Sequence, residues 1–419
     1  MRYLTKEELL NEANRCYLCK KPRCTMNCPI STPIPEAIKL FKEGKVEEAG
    51  EMLFKNNPLS AVCGIVCPHE NTCYGNCIRM IKGDGVKFFE IEKVVSGNYI
   101  KNIKLTVGEK VNKKIAIIGS GPAGIAIALI LAQRGYYVTI FEMHAKIGGV
   151  LRYGIPEFRL PRDVLDNLEE ELIQLGVKIR YNTLVGRVIT LDKLQEDGYD
   201  AVFIGTGVWD PKPLSIKGET LGNVNYAIDY LKDPESFRLG NRVLVIGAGN
   251  VAMDAARTAK YYGSKDVRIV YRKDFEHMPA IKEELNEAKE DGVEFDLFRA
   301  PVEITEEGLI VTKTKVDIDE NSREVWSNIE GSEELMEADT IIIAVSQGPK
   351  NNIVNNTKKL ETNKWGNLVI DEHGMTSRDG VFASGDVVTG AKTVVEAVAN
   401  AKMVAESIDE YCKKTVKKI

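Results

Sequence analysis

The sequence predicts an α/β chain in which a cysteine-rich segment precedes two related modules of alternating strand and helix, and three observations carry that prediction. Eight of the nine cysteines lie within the first eighty residues. From Val111 onward, short β runs alternate with glycine-rich turns and alanine-rich helices, which is α/β texture. That texture also repeats: KKIAIIGSGPAG, from Lys113, is echoed by NRVLVIGAGNVAMD, from Asn241.

With 419 residues, the chain is long enough for about three domains, and 44% hydrophobic content fills their cores. A net charge of −5, with Lys and Arg scattered among acids, provides no stripe for nucleic acid. MRYLTKEELLNEANR reads as a polar amphipathic helix rather than a signal peptide, and IAIALILA, from Ile125, is too short to cross a bilayer. The expectation is a cytoplasmic globular protein with no membrane and no nucleic-acid partner. The lysine-rich end KKTVKKI reads as a solvated tail.

The first cysteine group is Cys16-x₂-Cys19-x₄-Cys24-x₃-Cys28-Pro29, and the second is Cys63, Cys67-Pro68, Cys73 and Cys77. A disulfide framework needs an oxidising compartment, and nothing directs export. Eight thiolates could form two structural zinc sites, but such sites usually pair one CxxC with another, and Cys16/Cys19 is the only CxxC. The first group instead reads as a stretched ferredoxin run, C-x₂-C-x₂-C-x₃-C-P, whose last cysteine serves a second cluster. Spacing thus favours iron–sulfur clusters, with zinc as the alternative.

The first module places Gly119-x-Gly121-x-x-Gly124 between a buried strand and a helix, and a second strand ends at Glu142. In that order the elements make a Rossmann-type nucleotide site: helix N-terminal amides meet pyrophosphate, and the carboxylate accepts from a ribose 2′-OH. The second module repeats the pattern as Gly247, Gly249, Asn250 and Ala252. Two further echoes pair LGVKIRYNTLVG, from Leu175, with DGVEFDLFRAPVEI, from Asp291, and YDAVFIGTG, from Tyr199, with ADTIIIAVSQG, from Ala338. Where the first module has Glu142, the second has Arg272 and Lys273. A guanidinium there binds a 2′-phosphate that a carboxylate would repel, which favours NADP over NAD. Surface cations at a strand end are the plainer alternative.

Near the C-terminus, DGVFASGDVVTGAKTVVEAV predicts a strand, then Gly385-Asp386, then a long helix starting near Lys392. A Gly-Asp after a strand can set its carboxylate against a flavin's ribityl chain, and the helix start can stabilise negative charge on a reduced ring. FAD is therefore the expected cofactor of the first module. No cysteine occurs between Ile78 and Tyr411, so the chain lacks the redox-active pair that a disulfide reductase keeps beside its flavin. Electrons must leave another way, and the N-terminal cysteines offer it. The hydride step itself requires no catalytic acid or base.

Together these residues resemble the flavin–iron–sulfur module shared by the glutamate synthase small subunit, the N-terminal part of dihydropyrimidine dehydrogenase, and NADPH–ferredoxin transhydrogenase subunits. The resemblance rests on the cysteine series, GSGPAG, GGVLRYGIPEFRLP from Gly148, GAGNVAMD and GVFASGDVVTGAKTVVEAV, and it spans essentially the whole chain. It implies a helical domain over 1–105 with two [4Fe–4S] clusters, a discontinuous FAD domain over 106–225 and 347–419, and an inserted NAD(P)H domain over 226–346. By position, it implies that Cys16, Cys19, Cys24 and Cys77 hold one cluster. Cys28, Cys67 and Cys73 would hold the other, completed by Glu92 of FFEIEK, while Cys63 has no ligand role. It also places Gly149 among the cofactor-binding glycines.

The segment NNPLSAVCGIVCP, from Asn56, looks more like the pyrimidine-dehydrogenase version. The expectation is an electron-input subunit that oxidises NAD(P)H, reduces FAD and passes single electrons through two clusters to a pyrimidine-reducing partner. A glutamate synthase small subunit or a transhydrogenase subunit is the alternative. The chain has no room for an FMN barrel or an amidotransferase, so the terminal chemistry would belong to an FMN-containing reductase or synthase subunit, or to a ferredoxin. Two readings from other classes are a zinc-stapled disulfide or quinone reductase and an NADPH-sensing binding protein. His69, His144, His277 and His373 read as packing or surface residues, with His277 a candidate phosphate contact, and Cys412 reads as an inert thiol.

Overall fold

The computed structural model describes residues 3–321 and 323–414; residues 415–419 of the lysine-rich end lie outside the described residues. The chain divides into two compact units, one comprising Met1–Arg152, Glu157–Asp210 and Gly348–Ile419, the other Tyr153–Pro156 and Pro211–Gln347.

The first unit opens with helices. Lys6–Asn14 starts at a capping box: Thr5 Oγ1 accepts from the Glu8 amide at 3.2 Å, and the Glu8 carboxylate accepts from the Thr5 amide at 2.7 Å. Its apolar side buries Leu9 and Ala13. The helix Phe88–Asn102 is the hub, and Val46–Asn56 and Ser60–Val66 pack against it. Two glycines set that closeness, because a Cβ on Gly64 would lie 2.7 Å from the Lys93 amide nitrogen and one on Gly50 would lie 2.6 Å from Tyr99 Cβ. Phe88, Ile91 and Val95 then pack with Leu9, Ile38 and Leu53 in one core, each buried side chain contributing about 1.5–3 kcal/mol.

A five-stranded parallel sheet follows, in the order Val381–Ala383, Ala201–Ile204, Lys114–Ile118, Tyr137–Phe141, Lys178–Arg180. Its central strands are buried continuously because helices cover both faces of a parallel sheet. The unit closes with Val394–Lys414, begun by Thr393, whose hydroxyl donates to Glu396 at 2.6 Å. This helix reaches back to the N-terminal helices: Lys402 Nζ donates to the Asn56 carbonyl at 2.6 Å.

The second unit repeats the sheet, again parallel, in the order Val224–Tyr226, Thr340–Ile343, Arg242–Ile246, Asp266–Tyr271, Glu294–Leu297. Both sequence echoes match this repetition. Ala201–Ile204 and Thr340–Ile343 each flank the strand that runs into the glycine turn, and Lys178–Arg180 and Glu294–Leu297 each form an outer edge. What the echoes do not announce is an antiparallel sheet of Arg299–Ile304, Gly308–Ile318, Glu324–Asn328 and Glu334–Glu337. No helix among the described residues is long and apolar enough to cross a membrane.

Candidate cofactor and cluster sites

In the first unit, the strand Lys114–Ile118 runs into Gly119, and the helix Pro122–Gln133 begins with Gly121 as its N-cap. Gly124 must be glycine for packing, since its Cβ would fall 2.1 Å from the Gly119 carbonyl oxygen. Gly121 is different: its φ is −71°, and an added Cβ would meet nothing nearer than 4.0 Å. Neither conformation nor packing demands glycine there, so the bare backbone leaves a cradle that a ligand can approach closely. Gly149, with φ +54°, backs onto this loop, because its Cβ would sit 2.8 Å from Gly121 Cα.

Glu142 follows the second strand directly and is 3% exposed. One carboxylate oxygen accepts from the Ser120 amide at 3.0 Å and from the Ser120 hydroxyl; the other accepts from the His144 amide at 2.7 Å and Nδ1 at 2.9 Å. Burial alone would raise this carboxyl's pKa, but the bonds from His144 and Ser120 outweigh it and hold the pKa below the usual range. Glu142 is thus an anion fastened at the loop. Gly385, with φ +76°, lies against the start of the same helix: its Cβ would be 3.4 Å from Ala123 Cβ. Asp386 follows it, accepting from the Lys392 amide at 3.1 Å, and burial pushes its carboxyl up to about 6. The adjacent Ser384 hydroxyl is buried without a hydrogen-bond partner, an orphan that a bound polar group would satisfy. These residues fit a dinucleotide with a polar chain near Asp386, as FAD has.

The second unit repeats the cradle. Gly249 caps Asn250–Tyr261, and a Cβ there would have nothing within 4 Å. Ala252 is fully buried, and Asn250 Oδ1 accepts from the Ile281 amide at 3.1 Å, pinning the loop that faces the helix start. Gly247 has φ +130° and runs close to the Ala344 carbonyl. Arg272 and Lys273 follow the strand Asp266–Tyr271, with Arg272 exposed. Lys273 Nζ stands 5.6 Å over the Trp326 ring, which stacks on Phe298 at 6.0 Å. His277 is held between Asp274 at 2.6 Å and Glu324 at 2.7 Å. A residue that the sequence did not single out, Trp326, therefore positions Lys273. Only the pairing of the antiparallel strands brings it there.

The thiols gather around two hollows. Cys16, Cys19, Cys24 and Cys77 line the first, with Cys73 at its wall. Cys28, Cys67 and Cys73 line the second together with Cys63, Glu92, His69 and Val395. Burial pushes Cys24 up to about 11 and Cys73 up to about 12 and raises Cys16; at Cys67, a hydrogen bond with the Cys63 thiol raises the pKa first and burial second. Burial disfavours the thiolate form of these cysteines, and a metal centre held there would supply the positive charge that favours it.

Glu92 is 6% exposed, makes no hydrogen bond or ion pair among the described residues, and is pushed up to about 8 by burial. A buried, unpartnered carboxyl among thiols fits a metal ligand. Cys63 also faces this hollow, since Ser60–Val66 lies against the helix bearing Glu92. His69 donates from Nε2 to the Cys63 carbonyl at 3.0 Å and stacks on Phe89, whereas His373 is exposed. Burial pushes Cys412 up to about 12, in keeping with an inert thiol.

Comparisons with known proteins accord with both halves of this arrangement. Residues 1–103 match the family described as dihydropyrimidine dehydrogenase domain II, 4Fe-4S cluster, and residues 113–402 match pyridine nucleotide-disulphide oxidoreductase. The first match sets aside the zinc and disulfide readings of the cysteines. The chain is 35% identical to the glutamate synthase [NADPH] small chain of Azospirillum brasilense, over 97% of this chain and 90% of that one. It is 36% identical to the NADP(+)-dependent formate dehydrogenase subunit beta of Moorella thermoacetica, over 93% of this chain and 59% of that one.

Among solved structures, FprA from Mycobacterium tuberculosis has a TM-score of 0.61 at 19% identity, covering 71% of this chain and 84% of that one. Lactococcus lactis thioredoxin reductase has a TM-score of 0.56 at 22% identity, covering 73% of this chain and all of that one. At such identities they speak to the fold alone. With both modules matched along nearly its whole length, the chain belongs to the family of NAD(P)H-dependent flavin oxidoreductases with an N-terminal 4Fe–4S domain, the family of the glutamate synthase small chains.

Proposed function

We propose that the chain is an electron-input subunit that binds FAD on its first parallel sheet, NADPH on its second, and two [4Fe–4S] clusters at its two thiol hollows. FAD, when bound, takes a hydride and gives up electrons one at a time, and the clusters carry single electrons to a partner. The chain's own residues do the positioning. Gly121 and Gly249 leave room for pyrophosphate, Glu142 and Asp386 address the FAD ribose and ribityl hydroxyls, and Arg272 and Lys273 favour a 2′-phosphate. Cys16, Cys19, Cys24 and Cys77 serve one cluster, and Cys28, Cys67, Cys73 and Glu92 the other. The domain limits 1–105, 106–225 with 347–419, and 226–346 belong to this reading, as does a cytoplasmic location.

The observation that carries the proposal is that the cysteine hollows share a compact unit with the first cradle while no cysteine occurs between residues 78 and 411. Among relatives, the names support a glutamate synthase partner or another reductase over the pyrimidine-reducing partner that NNPLSAVCGIVCP favours. The pyrimidine reading stays as the second, resting on Cys63 beside Cys67. Cys16→Ala tests the electron path. Stopped-flow bleaching of the flavin by NADPH should persist in the folded variant while turnover with the partner falls to background; retained turnover would sink the route.

A further inference from the structure

Asn57 lines the second thiol hollow with one end of its amide engaged and the other unmet. It follows the helix Val46–Asn56, and its backbone is tied on both sides: its amide donates to the Leu53 carbonyl at 2.7 Å, and its carbonyl accepts from the Ser60 amide at 2.9 Å. The side chain is fixed as well. Oδ1 accepts from the Leu59 amide at 2.9 Å, and because an N–H group can bond only the oxygen, that contact decides which end of the amide is which. Nδ2 then keeps its hydrogens without a hydrogen-bond partner among the described residues, although Asn57 is only 1% exposed. The neighbouring Asn56 differs, since its Nδ2 donates to the Ile30 carbonyl at 3.3 Å.

A buried donor left unmet is costly, and native structures avoid it unless something outside the chain accepts the bond. The same hollow is lined by the sulfurs of Cys28, Cys67 and Cys73. A second donor stands there too: Thr32 Oγ1 lies 3.3 Å from Cys28 Sγ. A metal-bound thiolate can only accept, so with metal present the hydroxyl is the donor of that pair.

We propose that Asn57 tunes the [4Fe–4S] cluster assigned to the second hollow: Nδ2 donates a hydrogen bond to a cluster or cysteine sulfur there and raises the reduction potential, and the Thr32 hydroxyl on Cys28 acts in the same direction. The inference rests on the cluster reading of that hollow and adds to it the residues that set how readily the site takes an electron. A reduced cluster carries one more negative charge than an oxidised one, so a donor aimed at sulfur stabilises the reduced state more. The ties to Leu53, Leu59 and Ser60 hold this donor in place, so it need not reorient when the charge arrives.

The test uses the holoprotein and two readouts. In wild type grown with asparagine labelled with ¹⁵N at Nδ2, pulsed EPR of the reduced second cluster, the signal lost in Cys28→Ala, should show a ¹⁵N coupling that disappears in Asn57→Leu. Redox titration of Asn57→Leu, followed by EPR, should show that signal reduced roughly tenfold less favourably, a shift of ~59 mV to more negative potential for one electron. Iron content and the other cluster's potential should stay as in wild type. Thr32→Val, which keeps the side chain's shape, should move the same signal in the same direction. Absence of the ¹⁵N coupling in wild type, an unchanged potential in Asn57→Leu, or an equal shift of both clusters overturns the assignment. Should Asn57→Leu fail to fold or to hold iron, the wild-type coupling alone decides. Iron and sulfide analysis of the wild type separates the two ideas: less than two clusters' worth refutes the cluster reading, and two full clusters without the coupling refute the role of Asn57 alone.

Discussion

Glu142 and His144 act as one unit at the end of a strand: the amide and Nδ1 of His144 both donate to the same carboxylate oxygen, at 2.7 and 2.9 Å. The contact fixes the imidazole's proton on Nδ1 and, with Ser120, keeps Glu142 ionised. Glu142→Gln should weaken FAD roughly tenfold or more, since a hydrogen bond to a charged group contributes about 1.5–3 kcal/mol. His144→Ala should cost less. Because the folded pKa is depressed, the stabilisation is present above the ordinary carboxylate range and is lost as pH falls through the depressed value. FAD retention, followed by flavin fluorescence, should therefore be flat from about pH 8 to 5 and fall only in stronger acid.

Asp386 has the opposite sign. Its pKa is raised from 3.8 to about 6 by burial, so folding is favoured when it is protonated and stability falls as pH rises through that window. In flavin-free protein at pH 8, Asp386→Asn should raise stability by about 1–3 kcal/mol. The same variant should bind FAD more weakly. Denaturant melts at pH 4 and 8 check the first effect: a variant no more stable than wild type at pH 8 would contradict it.

Nucleotide choice should follow the end of the strand Asp266–Tyr271. Arg272→Ala should weaken NADPH roughly tenfold to a hundredfold and NADH little. Trp326→Leu should have a smaller effect of the same kind, about two- to fivefold, because it removes the cation–π contact that steadies Lys273 while leaving Arg272 in place. Steady-state kinetics with both nucleotides decide the matter. Equal losses for NADPH and NADH would remove the role given to Arg272.

The second hollow sets Glu92 against Cys63 as the group that would complete the cluster proposed there. Glu92→Ala should lower iron content or disturb one EPR signal and leave the other intact, while Cys63→Ser should leave both signals unchanged. The reverse pattern would make Cys63 the ligand and Glu92 a bystander.

What could be read from the chain is whatever a local rule dictates. Gly124 must approach Gly119 for the helix at 122–133 to leave the strand, and the same strand–glycine–helix order recurs at 242–261 with Ala252 in the third place, so both helix starts were legible to within a residue or two. The C-terminal helix, expected near Lys392, starts at Val394 after a separate short turn at Asp386–Thr389. What escaped depends on long-range pairing. Trp326 meets Lys273 only because Glu324–Asn328 folds back along Gly308–Ile318, and Cys63 meets Glu92 only because Gly64 lets two helices touch. A single cysteine at position 63 was too little to set the pyrimidine branch above the glutamate synthase one.

The second hollow includes Val395, and Lys402 clasps the end of the helix Val46–Asn56, so the thiols near the start of the chain are enclosed in part by residues about 330 positions later. At a synthesis rate of roughly 5–20 residues per second, Cys67 leaves the ribosome some 15–70 s before the helix that walls it in. During that interval its pocket has an open side. A cluster built in the second hollow, as proposed above, would then have that open side as a way in for iron and sulfide until the last long helix closes it.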